Sequence, residues 1–447
     1  MDGTEAEIVR RVPALGQRDA SERRLAVANP AAVALTAALA GLVSCALALA
    51  VGAASAPSTL VPAKKAGFSG WLRGPLDFGL SVSPLGFVAL LLAMCVLYLC
   101  LLAWARRVPV RAAVISIIAV HVIFLLAPPL LSTDVFNYLD YARLGVVHGL
   151  NPYQHSPAAA PHDATYPYVG WHGATTVYGP LFTLGSYPLG ALGLSGALWT
   201  AKAMTALASL GCTALVWACA RRLGREPLPA AMFVGLNPVL LVYGVGGAHN
   251  DLLMMLLALS SLYLVLAGRE VGGAVTIAGA AAVKLSAGLL LPFLLIRAHR
   301  PRRALLGSLG AAVALGAVAF AAFGTHALSF LHVLSVQQQH GSLHSVPKTV
   351  SEILGLGSTG DPVRPFATAC FAVVLLGLLI YARRGGDWLT AAGGATLGLL
   401  VATTWLLPWY VVWLLPLAGL SESRSLRLGA LGLSAFVLAL RIPLWLQ

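Results

Sequence analysis

Long apolar runs recur along this chain, and they constrain its fold more than any other feature. Most are long enough for a helix to cross a bilayer, which takes ~20 residues. The runs are residues 31–54, 85–105, 112–131, 194–220, 229–247, 252–268, 304–323, 363–382, 389–407, 409–420 and 428–446. Only 10% of the residues are charged and 58% are hydrophobic, whereas soluble domains have about 25% charged residues. The sequence therefore predicts an all-α polytopic membrane protein with about 11–13 transmembrane helices, and it excludes a soluble enzyme.

The net charge of +13 does not indicate a nucleic-acid partner, because the basic residues cluster in short loops between the apolar runs. Such loops are typical of the cytoplasmic side. The clusters are Arg106 and Arg107, Arg221 to Arg225, Arg297 to Arg303, Arg383 and Arg384, and Arg424 and Arg427. They predict a multi-pass cell-membrane protein with a cytoplasmic N-terminal tail (1–30), a single transmembrane domain (31–447) and outer loops at 55–84, 132–193 and 324–362.

Residues 273–296 do not fit a simple alternation of inner and outer loops, because the basic residue Arg269 precedes them and Arg297 follows them. A single crossing would place one of these basic sites outside, against the charge rule. A re-entrant hairpin keeps both inside and places Lys284 at its tip, where the ammonium group faces protein or water instead of lipid. A misplaced span boundary is the alternative.

The loop 132–193 holds the most polar sequence. Ser132 and Thr133 precede apolar residues at helical spacing, which predicts a capped amphipathic helix along the membrane surface. Asp134 lies in its first turn, and Tyr138 and Tyr141 follow on nearly the same face. An acidic residue there could simply complement the helix dipole. Alternatively, it could act on a lipid-borne substrate at the membrane boundary.

Other polar motifs also map to the predicted outer side. They are Asn151-Pro152-Tyr153, Tyr178-Gly179-Pro180, the tight turn His249-Asn250-Asp251, and Pro408-Trp409-Tyr410 with Trp413. The turn could be a polar cap between two spans. A carboxylate, an amide and an imidazole packed together could also bind a sugar or a phosphate.

Taken in this order, the motifs resemble those of the actinobacterial polyprenol-phosphomannose-dependent alpha-mannosyltransferases, which are membrane glycosyltransferases of the GT-C class. The resemblance spans roughly residues 112–420. It implies a GT-C-like helical bundle, a polyprenyl-phosphate sugar donor, a glycolipid or glycan acceptor, and a catalytic acid at Asp134, with Asp140 able to share that role. The substrate-binding candidates are Tyr138, Tyr141, Arg143, Asn151, Tyr153, Tyr178, His249, Asn250, Asp251 and Lys348.

Transfer from a lipid phosphosugar needs a base for the acceptor hydroxyl and cations for the phosphate. One carboxylate suffices for inversion, and the phosphate is already a good leaving group. The cation candidates are Lys202, Arg143, Lys348 and Arg441, with Lys284 a weaker one, and Lys348 is expected to order loop 324–362 over the donor. No acidic cluster indicates a dedicated metal site, and no cofactor is predicted.

Two other function classes remain open on the sequence. A secondary transporter or lipid flippase would also be polytopic, but transporters usually show repeats and ionisable residues at mid-membrane. An O-antigen-ligase-like polymerase would share the large outer loop but would depend more on outer Arg and His. A transporter forms no glycosidic bond, so a transfer assay separates it from a glycosyltransferase.

Overall fold

The computed structural model describes residues 30–55, 70–342, 345–355 and 363–440. Across these ranges the regular structure is helical, and no β-strand occurs in them. The α-helices, some joined by short 3-10 segments, are α1 (Pro30–Ala54), α2 (Pro84–Ala103), α3 (Val110–Leu126), α4 (Asp134–Val146), α5 (Pro180–Gly190), α6 (Leu194–Arg222), α7 (Pro227–Gly235), α8 (Asp251–Leu266), α9 (Glu270–Val283), α10 (Leu291–Arg297), α11 (Pro301–Phe323), α12 (Phe330–His340), α13 (Val346–Ile353), α14 (Val363–Arg383), α15 (Trp388–Ala402), α16 (Leu415–Leu420) and α17 (Arg424–Ala439).

Each predicted apolar run contains helix, which confirms the prediction of an all-α polytopic membrane protein. Within the described ranges, five helical stretches are long and apolar enough to cross a membrane: α1, α2, α6, α14, and a stretch that continues from α11 into α12. The exact number of crossings and the orientation of the chain stay predictions. The proposed cytoplasmic tail lies, except for Pro30, outside the described residues, and so does part of the 55–84 loop.

The predicted span 229–247 is interrupted at Asn237-Pro238. Helix α7 ends at Gly235, and a π-helical segment, Leu240–Val245, follows. Proline has no backbone N–H, so it cannot continue the helical hydrogen bonding. The side-chain oxygen of Asn237 instead accepts hydrogen bonds from the N–H groups of Val239 (3.0 Å) and Leu240 (3.2 Å), and thereby caps the second segment.

The segment predicted as a hairpin folds back on itself. Helix α9 ends at Val283, Lys284 is extended (φ −150°, ψ 120°), and a 3-10 segment and α10 lead the chain back. The two ends meet, because the Glu270 carboxylate accepts hydrogen bonds from the backbone N–H groups of His299 (2.5 Å) and Arg300 (2.8 Å). The chain thus turns back at Lys284. That both ends face the cytoplasm stays a prediction.

Helix α4 forms where the sequence predicts it, but it is more enclosed than an amphipathic surface helix. Nine of its thirteen residues are buried, because α5, α6 and the loop between α4 and α5 pack around it. The Thr133 side chain makes no capping hydrogen bond. The Ser132 hydroxyl does this instead, accepting from the N–H of Asp134 at 3.1 Å. The enclosure turns one end of α4 into the wall of a cavity.

Candidate active site

A cavity of about 750 Å³ opens beside the first turn of α4. Its charged lining residues, within the described part of the chain, are Asp134, Asp251 and Lys284. Aromatic and polar side chains form much of the remaining wall: Asn137, Tyr138, Tyr141, Trp171, Tyr178, Asn250, Ser286, Gln337, Gln338, Trp405, Trp409, Tyr410 and Trp413. Two carboxylates, one ammonium group and many ring faces in one cavity suit a hydroxylated, anionic ligand.

Asp134 projects into this cavity from the first turn of α4, with 16% of its side chain exposed. Its carboxylate lies 3.6 Å from Nδ1 of His249. Burial raises the pKa of Asp134 to about 6, and the negative charge of Asp251 acts in the same direction, while Lys284 and hydrogen bonds from Ser132 and Trp171 limit the rise. A carboxylate whose pKa lies near neutrality is well matched to general-base chemistry.

Tyr138 and Tyr141 line the same cavity, as their spacing from Asp134 predicts. The hydroxyl of Tyr138 lies 3.4 Å from Nδ1 of His249 and accepts a hydrogen bond from the backbone N–H of Asn250 at 3.4 Å. Tyr141 donates its hydroxyl to the carbonyl of Ala174 at 2.8 Å. These contacts fix both rings and connect α4 to the turn that precedes α8.

Hydrogen bonds to the residues just before it hold the His249-Asn250-Asp251 turn in place. The Gly246 carbonyl accepts hydrogen bonds from the Lys202 ammonium and from the N–H of Leu130, both at 3.0 Å. Ala248 adopts a left-handed conformation (φ 56°), which is unfavourable for a residue with a Cβ. His249 is fully buried and stacks on Trp409, with ring centroids 3.7 Å apart. Asn250 and Asp251 therefore face the cavity, whereas His249 supports them from behind.

Lys284 is fixed by a carboxylate and two aromatic rings. Its ammonium nitrogen lies 2.7 Å from Oδ1 of Asp251, 4.4 Å from the ring centre of Tyr410 and 5.1 Å from that of Trp413. The Trp413 indole N–H donates to the same oxygen at 2.6 Å. The Lys284 side chain is 18% exposed, and an ammonium group has three N–H donors. After the bond to Asp251, donors remain for an anion in the cavity.

The motif Tyr178-Gly179-Pro180 positions this lysine. The N–H of Gly179 donates to the Val283 carbonyl at 3.1 Å. A Cβ atom on Gly179 would lie 2.1 Å from the carbonyl oxygen of Ala282, so only glycine permits this approach. The chain thus docks on the end of α9, one residue before Lys284, and Tyr178 lines the cavity beside it.

The motif Asn151-Pro152-Tyr153 lies outside the cavity lining. The Asn151 amide donates to the Phe323 carbonyl at 2.9 Å, and the Tyr153 hydroxyl donates to the Tyr178 carbonyl at 2.8 Å. The motif therefore ties the loop to the end of α11 and to the turn before α5. Its role in the structure is to hold the cavity wall.

Several other predicted site residues are also placed away from the cavity lining. Asp140 lies six residues after Asp134, which at 3.6 residues per turn places it about 120° around the helix rather than on the same face. Lys348 lies on α13, 3.8 Å from Glu352. Lys202 is fully buried below Gly246. Arg441 lies outside the described residues.

Arg143 and Asp140 belong to a hydrogen-bonded network on a different face of α4. The Arg143 guanidinium and His148 imidazole both contact the Asp163 carboxylate, at 2.8 and 2.7 Å. Thr165 links the two acids, with its hydroxyl 2.6 Å from Asp140 and 2.7 Å from Asp163. Burial alone would raise the pKa of Asp163, but the hydrogen bonds from Arg143, His148 and Thr165 hold it well below its usual range. This network fastens the loop to the helix.

Part of the cavity lining is not predicted from the sequence. Trp171 and Trp405 approach each other, with ring centroids 6.0 Å apart, and Gln337 and Gln338 on α12 lie at the same cavity. These residues come together only because segments distant in the sequence meet in the fold. Within each segment, the only feature that could indicate a site is the density of aromatic residues. Among the described residues, no three His, Cys, Asp or Glu side chains converge as metal ligands would.

Known proteins give an independent comparison. The family described as Alpha-(1->6)-mannopyranosyltransferase, N-terminal domain, matches residues 35–300, and the MptB C-terminal domain matches residues 342–444. Alpha-(1->6)-mannopyranosyltransferase A of Mycobacterium tuberculosis is 28% identical over 380 residues, covering 77% of this chain and 73% of the relative. The protein of the same name from Corynebacterium glutamicum is 31% identical over 191 residues, covering 40% of this chain and 37% of the relative. No solved structure matches the chain.

These matches favour the glycosyltransferase over the transporter, flippase and polymerase alternatives. They also agree with the resemblance that the sequence motifs indicate. The first family match alone covers more than half of the sequence. The chain belongs to the alpha-(1->6)-mannopyranosyltransferase family and is a membrane mannosyltransferase.

Proposed function

We propose that the protein transfers a mannosyl residue from polyprenyl-phosphate mannose to a hydroxyl group of a glycan or glycolipid acceptor on the outer face of the membrane. Configuration inverts at the anomeric carbon, and Asp134 is the general base. The observation that carries the proposal is that Asp134 and Lys284 face one cavity. The names of the relatives specify an α-(1->6) linkage, and an inverting enzyme that makes an α-linkage requires a β-linked donor.

Asp134 removes the proton. As the acceptor oxygen attacks the anomeric carbon, its proton passes to the Asp134 carboxylate, and the bond between that carbon and the phosphate oxygen breaks. The electron pair leaves with the polyprenyl phosphate, so no acid is needed on that side. The raised pKa of Asp134, about 6, makes this carboxylate a stronger base than an exposed aspartate while leaving it mostly ionised at neutral pH.

Lys284 binds the donor phosphate. The carboxylate of Asp251 and the ring faces of Tyr410 and Trp413 hold its ammonium group at the cavity wall. A phosphate placed there receives charge-assisted hydrogen bonds, which are about twice as strong as neutral ones. The same cation stabilises the charge that the phosphate gains when the glycosidic bond breaks.

The cavity also offers hydrogen-bonding groups for sugar hydroxyls. Asn250, Asp251 and Ser286 line it, and their buried atoms Nδ2, Oδ2 and Oγ have no hydrogen-bond partner among the described residues. Buried polar groups usually have partners, and leaving one unpaired costs ~1–3 kcal/mol. A pyranose ring carries hydroxyls that both donate and accept, so a small rotation of these side chains toward the cavity would give them sugar partners.

The position of the cavity along the bundle supports the outer face. Asp251 begins α8 at the cavity, whereas Arg222 at the end of α6 lies 4.7 Å from the ring of Tyr263, near the other end of α8. The basic loop after α6 and the cavity therefore lie at opposite ends of the same helix. If basic loops face the cytoplasm, the cavity faces outward, where lipid phosphosugars replace nucleotide sugars as donors.

Reconstituted proteoliposomes test the proposal. With polyprenyl phospho-β-mannose labelled in the sugar and an α-(1->6)-linked mannose oligosaccharide as acceptor, we expect a labelled product that an α-mannosidase degrades. GDP-mannose in place of the lipid donor should give no product. Transfer from GDP-mannose alone, or a β-linked product, would contradict the proposed donor and the inversion respectively.

A further inference from the structure

A second cavity of about 250 Å³ adjoins the one that contains Asp134. It lies between α5, α6 and α8, and its wall is almost entirely apolar. Leu181 and Phe182 come from α5, Met204 from α6, and Leu253 and Leu257 from α8. No side chain that carries a charge lines it, so it suits a hydrocarbon ligand rather than a sugar.

The apolar cavity and the cavity that contains Asp134 have two polar lining residues in common. Tyr138 and Asn250 line both of them. Val283 lines the apolar cavity and Lys284 the polar one, although they are neighbours in the sequence. Lys284 is extended, and successive side chains of an extended chain point to opposite sides. A cation and an apolar groove thus lie side by side, as the phosphate and the chain of a lipid would require.

The apolar cavity also opens to the outside of the protein. Met204 is 38% exposed although it belongs to α6, one of the helices long enough to span the membrane. Gly185 on α5 lines the cavity, and a Cβ atom built on it would meet no other atom within 4 Å. In a membrane, lipid surrounds such an opening, so a hydrocarbon chain can enter from the side without crossing water.

We propose that this cavity, the chain groove, binds the phosphate-proximal isoprene units of the donor. The phosphate then lies at Lys284 and the sugar lies beside Asp134. The inference rests on the proposed function for the identity of the donor. It adds a separate statement about where the lipid enters and which residues select its chain.

Filling the groove tests this inference. Gly185→Leu places a side chain in the open space, and Gly196→Leu on α6 is the control, because Gly196 does not line the groove and has only Leu192 Cβ, at 3.8 Å, near its own Cβ position. With long-chain polyprenyl phosphomannose we expect Gly185→Leu to raise the apparent KM roughly tenfold or more, since each CH₂ group kept from burial corresponds to a factor of about four in affinity. Methyl phosphomannose, which carries no isoprene unit, should be affected much less. The Gly196→Leu variant should match the unsubstituted protein with both donors.

Equal effects of Gly185→Leu on the two donors, or no effect on either, would overturn the inference. A change in the KM of the acceptor alone would also overturn it, because the groove would then bind an acceptor lipid.

Photocrosslinking of the unsubstituted protein is a second test, and it does not depend on the folding of a variant. A polyprenyl phosphate that carries a diazirine on its first isoprene unit, with no sugar attached, should label α5, α6 or α8 around Met204. Labelling confined to α11 and α14 would exclude the groove. If this probe labels the groove but the protein transfers no mannose in the proteoliposome assay, the proposed function is contradicted and the lipid site stands.

Discussion

Helix α4 carries two carboxylates with similar pKa values in opposite surroundings. Burial raises the pKa of both Asp134 and Asp140 to about 6. Asp134 nevertheless faces a cavity of about 750 Å³, whereas Asp140 is 1% exposed and is held by the Thr165 hydroxyl. A raised pKa alone therefore does not identify a base. Access to a substrate does, and it differs between the two acids because they project about 120° apart around the helix.

The largest expected effect follows from removing the accessible carboxylate. Asp134→Asn keeps the size of the side chain but cannot accept a proton from the acceptor, so we expect the transfer rate to fall by ~10²–10⁴-fold. Binding of the lipid donor should persist, because Lys284 remains in place. Single-turnover transfer measured beside equilibrium donor binding separates these two quantities.

The matched control is Asp140→Asn, on the same helix and with the same change of group. If Asp140→Asn lost the rate while Asp134→Asn kept it, the roles would be reversed. A small effect of Asp134→Asn on transfer, with a loss of stability under ~1 kcal/mol, would instead support the simpler reading that Asp134 only complements the helix dipole.

The next effect concerns the cation. Lys284→Met should weaken donor binding by ~10- to 100-fold, since hydrogen bonds to charged groups contribute ~1.5–3 kcal/mol. This change also leaves the Asp251 carboxylate buried without its partner, which by itself destabilises the fold. The double variant Lys284→Met, Asp251→Asn removes both charges and should fold while still binding the donor weakly.

Lys348→Met serves as the control for this change, because Lys348 lies on α13 outside the cavity lining and pairs with Glu352. Isothermal titration with a non-hydrolysable phosphonate analogue of the donor measures both variants. Weaker binding in Lys348→Met, with normal binding in the double variant, would move the phosphate site to α13.

The pH dependence of the transfer rate also distinguishes Asp134 from Asp140. The base acts only when it is unprotonated, so the transfer rate should rise about tenfold per pH unit below pH 6 and level off above it, given a pKa of Asp134 of about 6. The single-turnover rate should be measured at saturating substrates, so that phosphate ionisation does not enter through binding. Asp140→Asn should leave the profile unchanged. A profile whose midpoint shifts in that variant would implicate Asp140 in the proton transfer.

The sequence predicted the helices well because bilayer physics leaves few alternatives. A spanning segment must satisfy its own backbone hydrogen bonds, so runs such as 31–54 and 194–220 could only be helices. The charge rule also suggested the turn at Lys284, where the chain folds back. Both arguments depend on information that lies within one segment.

The sequence predicted the cavity only in part, because its walls come from distant segments. Asp134, Tyr138 and Tyr141 share a face of one helix, and helical spacing is sufficient to group them. The sequence makes Lys284 only a weaker candidate for binding phosphate, because the neighbouring residues do not indicate how deep in the membrane it lies. Its placement depends on Asp251, which lies 33 residues earlier in the chain, and on the approach of Gly179.

The smallest effect on transfer is expected for Asp140→Asn, and its effect on stability should depend on pH. The Thr165 hydroxyl has one proton but lies within hydrogen-bond distance of both Asp140 and Asp163. A protonated Asp140 can donate a hydrogen bond to Thr165, which then donates to Asp163. The side-chain amide of Asn at position 140 can also donate to Thr165.

In the folded protein the pKa of Asp140 is about 6, above the unfolded value of ~3.9. Between these values the folded state holds a proton that the unfolded state releases, so Asp140 makes the protein less stable as pH rises from about 4 to about 6. The variant lacks this contribution, so its stability relative to the unsubstituted protein should rise by ~2 kcal/mol between pH 4.5 and pH 7. Thermal unfolding in detergent at the two pH values measures this difference. A variant that is less stable by the same amount at both would show that Asp140 is an ionised acceptor, and the two acids of α4 would then differ in pKa as well as in access.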